Sequence, residues 1–319
     1  MTVLGWLPAP GVTLDRLDER AQLDVDAYRE AFGEVVDLNT DVRAARRCTI
    51  ARTGLDGAMQ AMWLRSRFGL PYALSLAYDP SAVASVLGHR VHAAGWKAVR
   101  LAACAGAAGL LVSSEGLVKR WRLRERFAGK PLAVVPNGVD LSLFVPGRPS
   151  QPPRVAFVGR LERVKNLIAL VEAVATLPGV VLDLIGDGPE RYALATRARE
   201  VGVTAFFAGQ LPYSEVARRL RWASAFCLPS LTEGSPKALW EAMATGLPCV
   251  VSDRVPDTHL PAVRCQTSAA SIASALRMAL SRPVPDTAAW RWAEQHRDWT
   301  KTIAAEIAFV KGVGDGLSG

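Results

Sequence analysis

Short apolar runs alternate with helical stretches along the whole chain, and this alternation limits the possible folds more than any other feature. Residues 3–7 (Val-Leu-Gly-Trp-Leu), 33–38, 48–52, 72–76 and 109–113 read as strands in the first half. A helix from about Asp56 to Phe68, and others near Leu87 and Leu117, supply the crossovers. The pattern repeats at 155–158, 181–185, 205–208, 225–228 and 249–252. Strand-helix alternation of this kind predicts an α/β, doubly wound architecture with parallel sheets. With 319 residues, 50% of them hydrophobic, the chain can bury two ordinary cores, so two domains are expected. Val145-Pro146-Gly147-Arg148-Pro149-Ser150-Gln151-Pro152-Pro153 is dense in proline and reads as the linker. The domains are expected at 1–146 and 147–289. Trp290-Arg291-Trp292 starts a helical stretch that continues through Trp299, Ile303, Ile307 and Val310, and residues 311–319 are expected to fray.

Chemistry concentrates in one segment, Ser230 to Pro248. Ser235 can cap a helix and Pro236 suits its first position, where a missing N–H costs nothing. The free N–H groups of Lys237, Ala238 and Leu239 then favour an anion, above all a phosphate. Glu241 lies one turn beyond Lys237 on the same face. Glu233 sits in the loop before the helix, Gly246 stops it, and Cys249-Val250-Val251-Ser252 reads as the next buried strand. Two carboxylates beside a phosphate-binding helix end fit a nucleotide-sugar. Arg160 follows Gly159 at a strand end, where a doubly wound sheet places its ligand. Lys165 can reach the same diphosphate as a compact charge.

These stretches resemble retaining GT-B glycosyltransferases of the large family 4 group. Glu233 to Glu241 matches that family's E-x7-E signature. Val135-Pro136-Asn137-Gly138-Val139-Asp140 resembles its interdomain segment, and Phe157-Val158-Gly159-Arg160-Leu161-Glu162-Arg163-Val164-Lys165-Asn166 its phosphate loop. Leu182-Asp183-Leu184-Ile185-Gly186-Asp187-Gly188-Pro189 resembles its following strand and turn. The likeness is dense from about Val135 to Asp253. It implies two Rossmann-like domains facing across a cleft, with residues 290–319 ending in a helix that crosses back to the first domain. It also implies a retaining, metal-independent transfer of a sugar from a UDP- or GDP-linked donor to an unidentified acceptor hydroxyl on a glycan, lipid or small molecule. Arg160, Lys165 and Glu233 would be catalytic. Gly159, Gly186, Gly188, Gly209, Gly234, Ser235, Pro236, Lys237, Ala238, Leu239 and Glu241 would bind the donor, with Glu241 on the ribose. Retention would proceed on the front face, the leaving phosphate helping to deprotonate the acceptor. No cofactor is implied beyond the nucleotide diphosphate sugar as co-substrate, and no metal.

Departures from that pattern lie outside the donor motifs. Pro8-Ala9-Pro10-Gly11 carries one glycine where the family's first loop is Gly-rich. Ala77-Tyr78-Asp79-Pro80 has no histidine after its strand, and Arg254-Val255-Pro256-Asp257 replaces a Gly-rich turn. These differences motivate a second expectation, a catalytically silent sugar-nucleotide-binding or scaffolding protein on the same fold. A sugar-nucleotide epimerase is a further possibility that the lack of an N-terminal histidine and acidic base disfavours.

Composition narrows the partners. The formal charge is +8, and its densest run is Lys119-Arg120-Trp121-Arg122-Leu123-Arg124-Glu125-Arg126-Phe127. That run reads first as a solvated helix face carrying a few core anchors, and second as attachment to an anionic membrane surface with Trp121 and Phe127 entering the interface. No nucleic-acid motif accompanies the charge. Asp24-Val25-Asp26 lies in an early polar helix, out of place for a metal pair. His89 and His92 read as surface or packing residues. Five scattered cysteines without a Cys-x-x-Cys pair suit a reduced chain without a zinc site. Met1 to Pro8 lacks a basic start and breaks at proline, so no signal peptide is expected. The expected location is cytoplasmic, with peripheral attachment to the inner face of the membrane as the alternative.

Overall fold

The computed structural model describes residues 3–9, 12–14, 17, 19–256 and 259–316. Pro10 and Gly11 of the expected first loop, Asp257 and the last residues of the tail lie outside them. The chain forms two compact units, Met1–Pro136 with Thr300–Gly319, and Asn137–Trp299.

The first unit runs β1 (Val3–Leu7), α1 (Glu19–Phe32), β2 (Glu34–Asp37), β3 (Ile50–Gly54), α2 (Ala58–Phe68), β4 (Tyr72–Leu76), α3 (Pro80–Val86), α4 (Arg90–Gly106), β5 (Gly109–Val112), α5 (Glu115–Trp121), α6 (Leu123–Arg126) and β6 (Leu132–Val134). Its sheet is parallel throughout, in the order β2-β1-β3-β4-β5-β6. All of β5 is buried, as a central strand covered on both faces must be. The strand β6 escapes sequence reading because three residues are too few to show a period.

The second unit runs β7 (Arg154–Val158), a 3₁₀ turn (Arg163–Lys165), α7 (Leu167–Val174), β8 (Val181–Ile185), α8 (Arg191–Glu200), β9 (Ala205–Gly209), α9 (Tyr213–Leu220), β10 (Ala225–Leu228), α10 (Lys237–Ala244), β11 (Cys249–Ser252), β12 (Val263–Cys265), α11 (Ala269–Leu280) and α12 (Thr287–His296). Its strands are also parallel, ordered β12-β11-β10-β7-β8-β9. Asp183 is buried within β8 and keeps its place through Arg219, which donates to both its oxygens at 3.0 and 3.1 Å. The proline-rich segment lies inside this unit. The Ser150 N–H donates to Trp222 O at 2.9 Å, and Gly147 packs so closely on Arg221 that no side chain fits there.

The tail differs from the expected single helical stretch. After α12 the chain breaks at Arg297 and Asp298, then resumes as α13 (Trp299–Asp315). The break has a backbone cause. The Val139 N–H donates to Arg297 O at 2.6 Å and the Trp299 N–H to Val139 O at 3.0 Å, so a β-bridge takes groups a continuous helix would use. From Thr300 onward α13 belongs to the first unit. Glu306 accepts from Tyr28 Oη at 2.9 Å and Arg52 Nε at 2.8 Å. Residues 311–315 are helical, not frayed, because Val310 and Val313 are buried and Val313 and Phe309 pack on Gly109.

In the basic run 119–127 the reading as a solvated face with core anchors fits, and the aromatic membrane anchors of the other reading do not. Trp121 is a core residue, 6% exposed, and its Nε1 donates to Asp79 Oδ2 at 3.0 Å. Phe127 packs partly buried against the same core. The helices α5 and α6 therefore offer solvent their cations without the expected aromatic anchors.

Candidate functional site

In the second unit, strand order reverses at β7: the chain moves outward through β8 and β9, then returns to the other side with β10. Ligands of open parallel sheets bind beyond the strand ends at such a reversal. The loops after β7 and β10 meet there. The Leu231 N–H donates to Val164 O at 2.8 Å. Lys165 Nζ lies 2.7 Å from Glu233 Oε1, with side chains only 20% and 9% exposed. Ser230 Oγ donates to the same oxygen at 2.7 Å, and Ser252 Oγ holds the Ser230 carbonyl at 2.6 Å. Glu233 is thus oriented by two donors.

Asn166 secures Lys165 from behind. It adopts a left-handed conformation at φ +57°, which asparagine tolerates better than most side chains. Its amide donates to Pro229 O at 3.2 Å and Thr267 O at 2.8 Å. The glycines after β7 and β8 allow two backbone turns to touch. A Cβ on Gly186 would strike the Gly159 carbonyl, and one on Gly188 the Leu161 carbonyl. Gly209 closes the layer, its carbonyl accepting from the Gly186 N–H at 2.8 Å.

The helix α10 departs from expectation at its start. Pro236 occupies the cap position and Ser235 makes no capping bond. The Leu239 N–H donates to Pro236 O at 3.1 Å, so it is not free. The Lys237 and Ala238 amides have no acceptor among the described residues. Ser235 Oγ is buried and likewise lacks a partner among the described residues. Asn137 Nδ2 donates to Ser235 O at 2.9 Å and fixes the approach through Gly234 to the helix. Glu241 is 6% exposed and accepts from Tyr213 Oη at 3.1 Å. The Arg160 side chain is 71% exposed, its Nε 3.5 Å from Glu162 Oε2.

Sequence reading missed Tyr213, Ser230, Ser252 and the anchoring roles of Asn137 and Asn166. All but Tyr213 lay inside stretches already read, but their roles depend on long-range contacts that the stretches do not show.

Other sequence candidates sit in the first unit. Asp24 and Asp26 lie in α1, where Asp26 accepts from Gln22 and Arg29. Among the described residues, no group of three or more His, Cys, Asp or Glu side chains is arranged to hold a metal ion. His89 and His92 are exposed at the start of α4, with ring centroids 5.6 Å apart. Beyond β4, Tyr78 Oη donates to Asp56 Oδ1 at 2.5 Å. Partial burial and the Asp56 carboxylate push the Tyr78 hydroxyl above its usual range. Asp79 accepts from Ser81, Ala82 and Trp121, with Arg100 3.4 Å away. Burial alone would raise its carboxyl, but these donors outweigh burial and hold it below the usual carboxylate range.

Residues 140–258 match the family model described as glycosyl transferases group 1. The glycogen synthase of Mycobacterium tuberculosis is 30% identical over 199 residues, 56% of this chain and 48% of that protein. The lipopolysaccharide 1,6-galactosyltransferase of Salmonella typhimurium is 29% identical over 145 residues, 43% of this chain and 40% of that one. The chain thus spans about half the length, or less, of these relatives. Among solved structures, a sucrose-phosphate synthase from Thermosynechococcus elongatus superposes with a TM-score of 0.85 at 16% identity, covering 99% of this chain and 100% of that one. Anabaena HepE, in complex with UDP and glucose, superposes at 0.76 and 14% identity, covering 98% and 100%. The fold is that of the GT-B glycosyltransferases.

Proposed function

We propose, from the premise that residues 140–258 of this chain belong to the glycosyl transferases group 1 family, that the protein transfers a sugar from a nucleotide diphosphate sugar to an acceptor hydroxyl. The observation that carries this reading is the Lys165–Glu233 pair at the sheet reversal, 2.7 Å apart and largely buried. A cation and a carboxylate held there have distinct uses. Lys165 faces the charge that develops on a departing diphosphate, and Glu233 lies where the donor sugar would sit. The unpartnered Ser235 hydroxyl and the Lys237 and Ala238 amides supply donors for phosphate oxygens at the start of α10. Glu241, one turn beyond Lys237 on α10, is the carboxylate this reading assigns to the ribose diol. HepE binding UDP and UDP-glucose, on a related fold, supports a UDP-linked donor; a GDP-linked donor is the alternative.

We further propose retention of anomeric configuration and no need for metal. Side-chain cations, Lys165 with Arg160, take the place of a metal in neutralising the diphosphate. The test is incubation with UDP- and GDP-sugars, with and without EDTA, following nucleotide release and the product anomer. Transfer that persists in chelator with retention supports the reading; strict metal dependence or inversion removes it. The exposed Arg160, turned onto Glu162, favours a second reading: a sugar-nucleotide-binding protein without turnover. Tight nucleotide binding with no release of product across a broad acceptor panel would select it.

A further inference from the structure

The outer face of the first unit at α2 and α4 is apolar where it meets solvent. On α4, Val91, Ala94, Ala98, Leu101, Ala102 and Ala105 are all exposed. They recur at three- and four-residue spacing and so form one stripe. Val91 is 85% exposed, while Ala93, Ala103 and Cys104 of the same helix are buried in the core. A surface helix ordinarily turns polar residues outward, so a helix apolar on both sides needs something to cover it. The neighbouring α2 packs against α4 and adds Met59 and Trp63, one turn apart, 67% and 51% exposed. Right-handed crossovers from β3 to β4 and from β4 to β5 place both helices on the same side of the sheet.

The charge of this region says what covers it. Between Asp56 and Glu115 the only acidic residue is Asp79, which is buried and engaged by Trp121 and Arg100. The same stretch exposes Arg65, Arg67, Arg90 and Lys97, none of them in an ion pair among the described residues. On α4, Arg90 and Lys97 lie along one flank of the apolar stripe. Apolar side chains and an exposed tryptophan are bordered by cations that make no ion pair among the described residues. The helices α2 and α4 carry no acid, and Asp56 before α2 accepts from Tyr78, so the face matches the boundary of an anionic bilayer. A second copy of this face would oppose cations with cations. The run 119–127 has the charge but buries its tryptophan.

We propose that the α2–α4 face is a peripheral docking surface for an anionic lipid bilayer. Trp63, Met59, Val91 and Leu101 enter the interface, and the four cations rest against headgroup phosphates. The full chain is tested by co-sedimentation with vesicles of phosphatidylcholine, alone or mixed with phosphatidylglycerol. It should bind the mixed vesicles, and binding should weaken as salt screens the charges. Val91→Asp with Leu101→Asp should lower vesicle affinity at least tenfold; both positions are exposed, and melting curves verify folding. Arg65→Glu with Arg67→Glu should lower it by roughly fivefold per cation. Lys119→Glu with Arg120→Glu should change it far less.

Equal binding to neutral vesicles, full retention by the α4 variant, or loss of binding on changing Lys119 and Arg120 as large as on changing α4 would each overturn the proposal. So would a dimer that ignores vesicles and dissociates with Val91→Asp. Vesicle binding is read without turnover, so its failure is separable from failure of the transferase reading.

Discussion

At the scale of single residues, the two carboxylates of the site differ in what holds them. Glu233 is bound to a cation and a hydroxyl, and Glu241 accepts from a tyrosine. If the proposed transferase reading holds, changing Lys165 to alanine should lower turnover far more than donor affinity, since it would remove a charge facing the leaving diphosphate. The loss expected is about 2.7–4 kcal/mol in the barrier, roughly 100- to 1,000-fold in rate, read from kcat against donor Kd. Arg160→Ala should show the same split if the exposed guanidinium swings onto the donor, and no effect if it stays on Glu162. Glu241→Gln should instead weaken nucleotide binding by about 1.5–3 kcal/mol, because a charge-assisted bond to the ribose is lost. Tyr213→Phe leaves the Glu241 charge in place and should cost only about 1 kcal/mol. Calorimetric titration with UDP separates these cases, and equal losses in the two variants would remove Glu241 from the ribose.

At the scale of elements, two buried polar clusters hold helices in the first unit. Glu306 on α13 meets Arg52 on β3 and Tyr28 on α1, with Arg52 stacked 4.4 Å over the Trp6 ring. Glu306→Ala leaves Arg52 without its carboxylate in a site where each is about one-fifth exposed. It should destabilise this unit by about 3 kcal/mol, seen by calorimetry as a lower transition while the other unit melts unchanged. Asp79 caps α3 and ties it to α4 and α5 through Arg100 and Trp121. Its carboxyl is held below the unfolded value, so the unfolded chain binds more protons as acid is added. Its contribution is fully present above a pH of about 4, the unfolded value, and is lost as pH falls through the lower folded value. An Asp79→Asn variant should therefore be less stable at neutral pH and show a flatter loss of stability below pH ~4. Parallel acid profiles in the two proteins would refute this.

At the scale of the whole molecule, each unit has its own parallel sheet and hydrophobic core. Two transitions are therefore expected on heating, and one stability figure would not describe the chain. On the proposed reading, a nucleoside diphosphate should raise the transition of the second unit, which carries Lys165, Glu233 and α10. A ligand at a hundred times its Kd adds about 2.7 kcal/mol. A shift confined to the first unit would move the donor site away from Lys165 and Glu233. Among the described residues no helix is long and apolar enough to cross a membrane.

What the residues alone determined was everything governed by local spacing. Tyr72–Leu76, Val181–Ile185, Ala225–Leu228 and Cys249–Ser252 read correctly as strands because each is a short apolar run bounded by breakers. Gly186, Gly188 and Gly209 were legible as tight backbone turns, and Glu233, Glu241 and Lys165 as charges whose spacing suits the proposed donor site. Tertiary structure decided which charges face one another. Lys165 meets Glu233 because β7 and β10, far apart in sequence, are neighbours in the sheet. The same long-range pairing broke the tail at Asp298, where Val139 captures its backbone groups. It also drew Trp121 inward to Asp79, so that a run read as basic and aromatic keeps only its cations at the surface. Burial and partner choice are set by contacts between distant segments, and these leave no period or spacing in a linear chain.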